Sequence, residues 1–324
     1  MSLSRPIKFP LLKLPFLCIE CVIKNWGDIF DIISFALTSK RTRRIVKILK
    51  IALNKIETFV LEQKLIKLGS MYKTWSFYTT SLDSSFLRKD HLVLQENAIP
   101  LYTSRTDFGF KSYTDGNEVI ALKMAMEFLN EVFKCSVEQV NIEDSDFPES
   151  LGVKSTRTFF FHYENPLFGR AQNQKLMALL ENLEVTNTCI FHVTSTERGY
   201  YVDPKLFKCR KLMFCPGSAA WITREILLQF EVPQLKFFYC PFSVQDILSF
   251  VTNWFHSDNK KSEYLCIESC GQISLENFQT EELNPIPFSE RTRIPPRMGL
   301  VPRRKVTTTT ASVAIRYETN SMRL

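Results

Sequence analysis

Few side chains in this 324-residue chain combine the types and spacing that chemistry needs. Cys18-Ile-Glu-Cys21 has the gap of a metal knuckle, but no second Cys or His pair lies where it would complete a tetrahedral site. Both thiols fall in an apolar helical stretch, so packing of that helix is their expected role. Cys266 and Cys270 lie at a strand end without partnering histidines, which argues against zinc there too. The four histidines, at 91, 162, 192 and 256, are dispersed. His162 and His192 each sit in an aromatic-rich strand pattern and read as satisfied core or edge side chains. No local feature supports a Cys–His nucleophile pair. Glu143-Asp144-Ser145-Asp146 reads as a solvated loop rather than a cation site. Phosphate-binding glycine loops, dinucleotide fingerprints, nucleophile elbows and His-Glu-x-x-His zinc helices are all absent from the sequence. These observations point away from catalysis, and neither a cofactor nor a metal is expected.

The composition turns attention to surfaces instead. With 45% hydrophobic and 23% charged residues the chain has the apolar mass of a large core, and its length suits two domains. The formal net charge of +7 invites a polyanion reading. Yet residues 40–55 hold Lys40, Arg41, Arg43, Arg44, Lys47, Lys50 and Lys55 with no acid, and residues 291–305 hold six more bases without one. Without those 13 side chains the rest carries 28 bases against 34 acids. The body is mildly acidic, and nucleic acid is not expected as a partner. The 40–55 helix reads as a solvated face, without interleaved aromatic or amide base-readers, and Pro302-Arg-Arg-Lys-Val306 reads as part of a flexible tail.

Nine cysteines, an odd number mainly in apolar stretches, and the lack of any Asn-x-Ser/Thr sequon suit a reducing compartment. Lys8, Lys13, Pro15 and Glu20 interrupt the apolar N-terminus, so it is not expected to act as a signal peptide. No window approaches the ~18 apolar residues of a membrane span. A soluble chain of the cytoplasm, the nucleus or both is expected, with no membrane partner.

Between Ile7 and Leu37, 20 of 31 residues are apolar. Pro15 suits the first turn of a helix, where its missing N–H costs nothing. Ile19, Val22, Ile23 and Trp26 follow at helical spacing, Gly27 ends that helix, and Asp28 caps a second carrying Ile29, Ile32, Ile33 and Leu37. The basic run continues as a third helix with Ile45, Ile48 and Leu49 turned inward. A three-helix unit of ~45 residues is rarely self-sufficient, and this one has surplus apolar residues in front of it. Such a surplus implies a partner.

Phe9-Pro-Leu-Leu-Lys-Leu-Pro15, then Val22-Ile23, Ile29-Phe30 and Leu37-Thr-Ser-Lys40, resemble the F-box in order and spacing. The ending Ser39-Lys40-Arg41-Thr42-Arg43-Arg44 is especially similar to nematode F-box proteins. The resemblance implies an F-box over 8–52 that docks on a Skp-type adaptor and through it on a cullin. It implies a docking face of Leu11, Leu12, Leu14, Pro15, Leu17, Val22 and Ile23, with Ile29 and Leu37 from the next helix. Trp26-Gly27-Asp28 departs from the family's smaller apolar residue and short acidic or Pro-containing turn.

Beyond it, a helix is expected through Leu61, Leu65 and Leu68. Val119, Leu122, Met126, Leu129 and Phe133 form an amphipathic pattern. Strand-like runs centred near 140, 160, 191, 213, 237 and 266 recur with helices between most of them, the rhythm of parallel strands and helical crossovers. A closed α/β sheet and a leucine-rich-repeat-like arc both fit. Gly217–Leu228, Cys240–Phe250, Asn253-Trp254-Phe255 and Glu263–Ile267 resemble the type 2 F-box-associated domain, best over 205–270. The resulting expectation is an α/β protein: an N-terminal three-helix F-box, then an α/β domain over 56–283 of repeated strand–helix units in an irregular arc. Residues 284–324 read as a flexible basic tail in which Thr307–Ile315 is β-prone and able to return as an edge strand. The implied function is a non-catalytic substrate receptor of a ubiquitin ligase that binds an unknown target protein. A non-degradative scaffold on the same adaptor is the second reading.

Overall fold

In the computed structural model, the residues described are 11–69, 73–79, 92–96, 99–107, 109–114, 117–143, 147, 149–163, 170–193, 201–240, 242–256, 263–269, 299–304 and 311–316. A 3-10 turn, Leu11–Lys13, leads into α1 (Phe16–Lys24), α2 (Ile29–Thr38) and α3 (Lys40–Leu49). Capping chemistry sets their limits. The Phe30 amide donates to Asp28 Oδ1 at 3.0 Å and opens α2. Ser39 and Thr42 form a reciprocal capping box that opens α3, and Lys50, with φ 51°, closes it in the left-handed region.

Strands β1 (Ala52–Val60), β2 (Lys64–Leu68), β3 (Thr74–Thr79), β4 (Leu92–Glu96), β5 (Ile99–Thr106) and β6 (Gly109–Thr114) follow. Helix α4 (Glu118–Val132), capped by Asn117, leads to β7 (Lys134–Ile142) and β8 (Ser155–Tyr163). The remaining elements are α5 (Arg170–Asn182), β9 (Glu184–Val193), β10 (Lys211–Phe214), α6 (Arg224–Leu227), β11 (Gln234–Cys240), α7 (Val244–His256), β12 (Tyr264–Ser269), β13 (Gly299–Arg304) and β14 (Ala311–Arg316). The protein is thus mixed α/β, with seven α-helices among the described residues.

All fourteen strands join one sheet in the order β13-β14-β12-β11-β10-β9-β8-β7-β1-β2-β3-β6-β5-β4. Strands β7 to β12 lie side by side in chain order, every neighbouring pair parallel, and β1 runs parallel beside β7. These are the expected strands near 140, 160, 191, 213, 237 and 266. An order that never reverses has a physical consequence. Crossovers between parallel strands are right-handed, so a chain that always steps the same way lays every crossover on the same face.

Side-chain burial follows that layering. Val60, Ile142, Phe161, Phe191, Phe214, Phe237 and Ile267 face one another across seven strands, and none is more than 1% exposed. Two residues before Val60 and on the same face, Thr58 Oγ1 donates to Met126 Sδ of α4 at 3.6 Å, so the buried side is the helix side. Aromatic rings from the connections close over the ladder: Phe147 on Phe161, Phe207 and Phe230 on Phe214, and Phe242 on Phe237.

The N-terminal helices belong to the same layer. Phe30 of α2 packs on Phe110 of β6 at a ring distance of 4.8 Å, and Phe110 in turn packs on Trp75 of β3. Trp75 meets Phe128 of α4 edge-on, and Arg43 of α3 lies over the same Phe128 ring. A single apolar cluster runs from Ile19 to Ile267. Gly109, with φ +131°, permits the close approach of β6 to β3, because a Cβ there would lie 2.0 Å from the Thr74 carbonyl oxygen.

Two local expectations are corrected. Leu61, Leu65 and Leu68 do not form a helix; β1 and β2 make an antiparallel hairpin with Phe59 opposite Leu65. The helical spacing of the three leucines is overridden by the alternation Lys64, Ile66, Leu68, whose side chains all turn inward. At the C-terminal end, β14 pairs with β12 on one side and β13 on the other, so it lies inside the sheet and β13 forms the edge. The rest of 284–324 lies outside the described residues.

Candidate docking surfaces

Helix α1 is anchored by Ile19 and Ile23, which point into the core, while the opposite side stays open. Leu17 is 72% exposed and Phe16 42% exposed, and Pro15, Cys18 and Cys21 are exposed beside them. Leu11, Leu12 and Leu14 in the preceding turn are half-buried, as are Val22 and Ile29. Arg41 Nη2 of α3 donates to the Leu12 carbonyl at 3.2 Å and holds that turn against the helices.

Of the residues expected on a docking face, Pro15 and Leu17 are exposed, Leu11 and Val22 are half-buried, and Leu12, Leu14 and Ile29 are half-buried against the core. Ile23 (0% exposed) and Leu37 (6%) are instead turned into the protein's own interior. Each lies on the buried side of its helix within the core cluster, and a side chain filling the core is unavailable to a partner. Cys18 and Cys21 depart from the expected packing in the other direction. They share the outer stripe with Leu17, because residues three and four apart lie on one helix face. Phe16 belonged to the expected surplus of apolar residues, whereas Cys18 and Cys21 were the outer-surface residues missed by sequence reasoning, although the spacing of Leu14, Leu17, Cys18 and Cys21 carried the signal.

The second surface is the side of the parallel strands that the buried ladder leaves behind. Phe59, Asn141, Phe160, Ile190, Met213, Lys236 and Cys266 form a row across β1, β7, β8, β9, β10, β11 and β12. Phe59, Phe160, Ile190, Met213 and Lys236 are half-buried, unlike their fully buried neighbours one residue away. Parallel sheets ordinarily have both faces covered. Here, among the described residues, the helix-side ladder is closed over, whereas this row is half-buried except at Asn141 and Cys266, which are buried.

Above the row His162 and His192, paired in register, stack with rings 4.4 Å apart and 1° from parallel. They stand half-buried on the open face rather than in the core. Lys236 lies over the Phe238 ring and pairs with Glu268 at 3.6 Å. Lys67 does the same for Phe59 and Glu57 at the other end of the row. The face is thus aromatic and aliphatic at its centre, with cations laid over rings toward its ends, a composition suited to protein contact.

A polar cleft of about 1150 Å³ opens at the N-terminal ends of β7 to β9, between Glu127, Cys135, Glu138, Gly152 and Arg157. Most of its charges are paired: Arg157 with Glu138 at 3.0 Å, Glu127 with Lys123 at 3.8 Å, and Glu131 with Arg43 and Lys47 of α3. Burial pushes the Cys135 thiol up to about 12, and its Sγ donates to the Leu129 carbonyl. That thiol is therefore not a nucleophile at neutral pH. Among the described residues no group of three or more His, Cys, Asp or Glu side chains is placed to hold a metal. Asp144–Asp146 and Cys270 lie outside the described residues. Among those described, no helix is long and apolar enough to cross a membrane.

Comparison with family models, with curated proteins and with solved structures finds no match to this chain. The functional reading rests on residues and geometry.

Proposed function

We propose that this chain is the non-catalytic substrate-recognition subunit of a Skp–cullin–F-box ubiquitin ligase, working in the cytoplasm, the nucleus or both. The observation that carries the reading is the outward apolar surface of α1 within a segment whose residues follow F-box order. Among the described residues, Leu17 at 72% exposure, with Phe16 and Pro15, is apolar area left without a partner, beside Leu12 and Leu14, which are only partly buried against the core. Burying it on a Skp-type adaptor would gain roughly 25 cal/mol per Å² before the cost of association.

In the finer reading of the fold, residues 8–52 are the F-box and the strands β7 to β12 form an irregular leucine-rich-repeat-like arc. The open row centred on Phe160, Ile190 and Met213 is then the surface that takes the target protein. Mechanistically the chain supplies proximity. Held on the adaptor at one end, it raises the effective concentration of the target's lysines near the ubiquitin-carrying enzyme.

Co-expression with a Skp-type adaptor followed by size-exclusion chromatography tests this. A 1:1 complex is expected. Leu17→Asp, or Leu14→Ala with Pro15→Ala, should weaken it at least about tenfold, since a few central anchors dominate such interfaces. The thermal midpoint of the Leu17→Asp chain should match wild type, because its side chain is outside the core. An unaltered complex in both variants, or a chain that ignores the adaptor, defeats the reading.

A further inference from the structure

The described cysteines divide sharply by access. Cys189, Cys209 and Cys266 are buried, and Cys135 and Cys215 are half-buried. Burial raises the pKa of Cys135, Cys189 and Cys215, with the adjacent Cys209 adding to the effect on Cys189. Of the seven cysteines whose side chains are described, Cys18 and Cys21 are the exposed ones. They lie one helical turn apart on the outer side of α1, next to Leu17, and Cys18 is the third residue of that helix.

We propose that Cys18 and Cys21 form a reversible dithiol modification site, closed to an intrahelical disulfide by hydrogen peroxide, that remodels the outer face of α1. The bearing on adaptor docking rests on the function proposed above; the thiol chemistry does not. The balance is simple. One thiolate attacks peroxide, the O–O bond breaks, and a sulfenic acid and hydroxide form. The second sulfur then displaces the sulfenic oxygen, which leaves as water, and the S–S bond forms. Two thiols and one peroxide become one disulfide and two waters, with two electrons passing from sulfur to oxygen.

Geometry makes the step consequential. Cβ atoms three apart on an α-helix are ~5–6 Å apart, whereas a disulfide needs ~3.5–4.5 Å. A 3-10 turn does not supply that distance either, since it eclipses i and i+3 but stacks them about 6 Å apart along the axis, so the link requires the 18–21 turn to leave helical geometry. The outward direction of Leu17, fixed at present by the burial of Ile19 and Ile23 on the opposite side, would change with it. Little resists this: α1 has only nine residues, Pro15 provides no side-chain capping bond, and only Ile19 and Ile23 are buried.

The full-length chain, reduced and then exposed to graded hydrogen peroxide, provides the test by intact mass, peptide mapping and amide exchange over 16–24. The expected result is a loss of about 2 Da, reversed by dithiothreitol, mapped to a Cys18–Cys21 link and faster exchange in α1. Cys18→Ser or Cys21→Ser should abolish the link. Complex formation with the adaptor should fall at least about tenfold on oxidation, the effect of misplacing an anchor side chain, and the Cys18→Ser/Cys21→Ser chain should bind regardless of peroxide. Oxidation that reaches the buried cysteines first, or a mapped disulfide that leaves α1 exchange and adaptor binding untouched, overturns the proposal. If the reduced chain never binds the adaptor, the docking function fails while mass and exchange still decide the thiol site.

Discussion

Asp28 fastens the N-terminal helices to the sheet through three roles at once. Its carboxylate caps α2, accepts Lys73 Nζ at 2.5 Å and accepts Arg105 Nη2 at 2.8 Å, while the other arm of Arg105 holds Asp31. Burial works against the charge, but the Lys73 bond, the Phe30 amide and the charges of Lys73 and Arg105 together hold the carboxyl below its ordinary value. A lowered folded value means that the stabilisation is complete above the unfolded range near pH 4 and is lost as pH falls through the folded value. Asp28→Ala should cost about 1–2 kcal/mol in urea unfolding at neutral pH, the size of a lost cap plus unpaired cations. Asp28→Asn keeps a capping oxygen and should cost less, and its deficit should shrink as pH drops below about 4. A deficit that stays constant down to about pH 3 would mean that charge is not what holds this contact. The cap was legible in the sequence from Gly27-Asp28 before an apolar helical run. The cations 45 and 77 residues away were not, because nothing local to Lys73 or Arg105 marks their partner.

At the scale of the element, Thr158-Phe-Phe-Phe-His162 was readable as a strand and unreadable as a pair of faces. Three consecutive phenylalanines hide the period-2 alternation that tells inside from outside. The register resolves it: Phe161 joins the fully buried ladder, whereas Phe160 stands on the open row. Phe161→Ala should therefore cost about 3–5 kcal/mol in a denaturant titration, and Phe160→Ala, next to it, about 1 kcal/mol or less. Equal losses would mean that both faces are covered and that no open surface exists. The same physics explains the hairpin at 52–68. Leu61, Leu65 and Leu68 mimic a helix stripe, and only pairing with β7 and β3 decides for strands, a long-range choice that local spacing does not encode. The strands β7 to β12 were legible because each holds a short stretch rich in β-branched, aromatic or other apolar residues, and most are separated by a helical crossover.

For the whole molecule, the steady strand order places the helices on one side, and the N-terminal helices extend that layer rather than standing apart from it. Three sheet aromatics, Trp75, Phe77 and Phe110, are at most 1% exposed, and Phe30 and Phe128 supply rings against two of them. A segment that resembles a self-contained docking module is thus also a wall of the core, joined by Asp28 and Asp31 to Arg105 and by Arg43 and Lys47 to Glu131. Such integration would hold the α1 surface and the open sheet row on one frame, which a proximity mechanism needs. The prediction is specific. Removing residues 1–50 should uncover the Phe110–Trp75 end of the sheet, and the remaining chain should aggregate or unfold far below the wild-type midpoint. Replacing only outward residues, Leu17→Asp with Phe16→Ser, should leave the midpoint within the range of ordinary surface substitutions, about ±0.5 kcal/mol. Circular dichroism melts of the three chains decide it. A 51–324 fragment that melts cooperatively at the wild-type temperature would mean that the helices are a detachable domain, and that the contacts of Phe30 and Arg105 contribute nothing to the stability of the sheet.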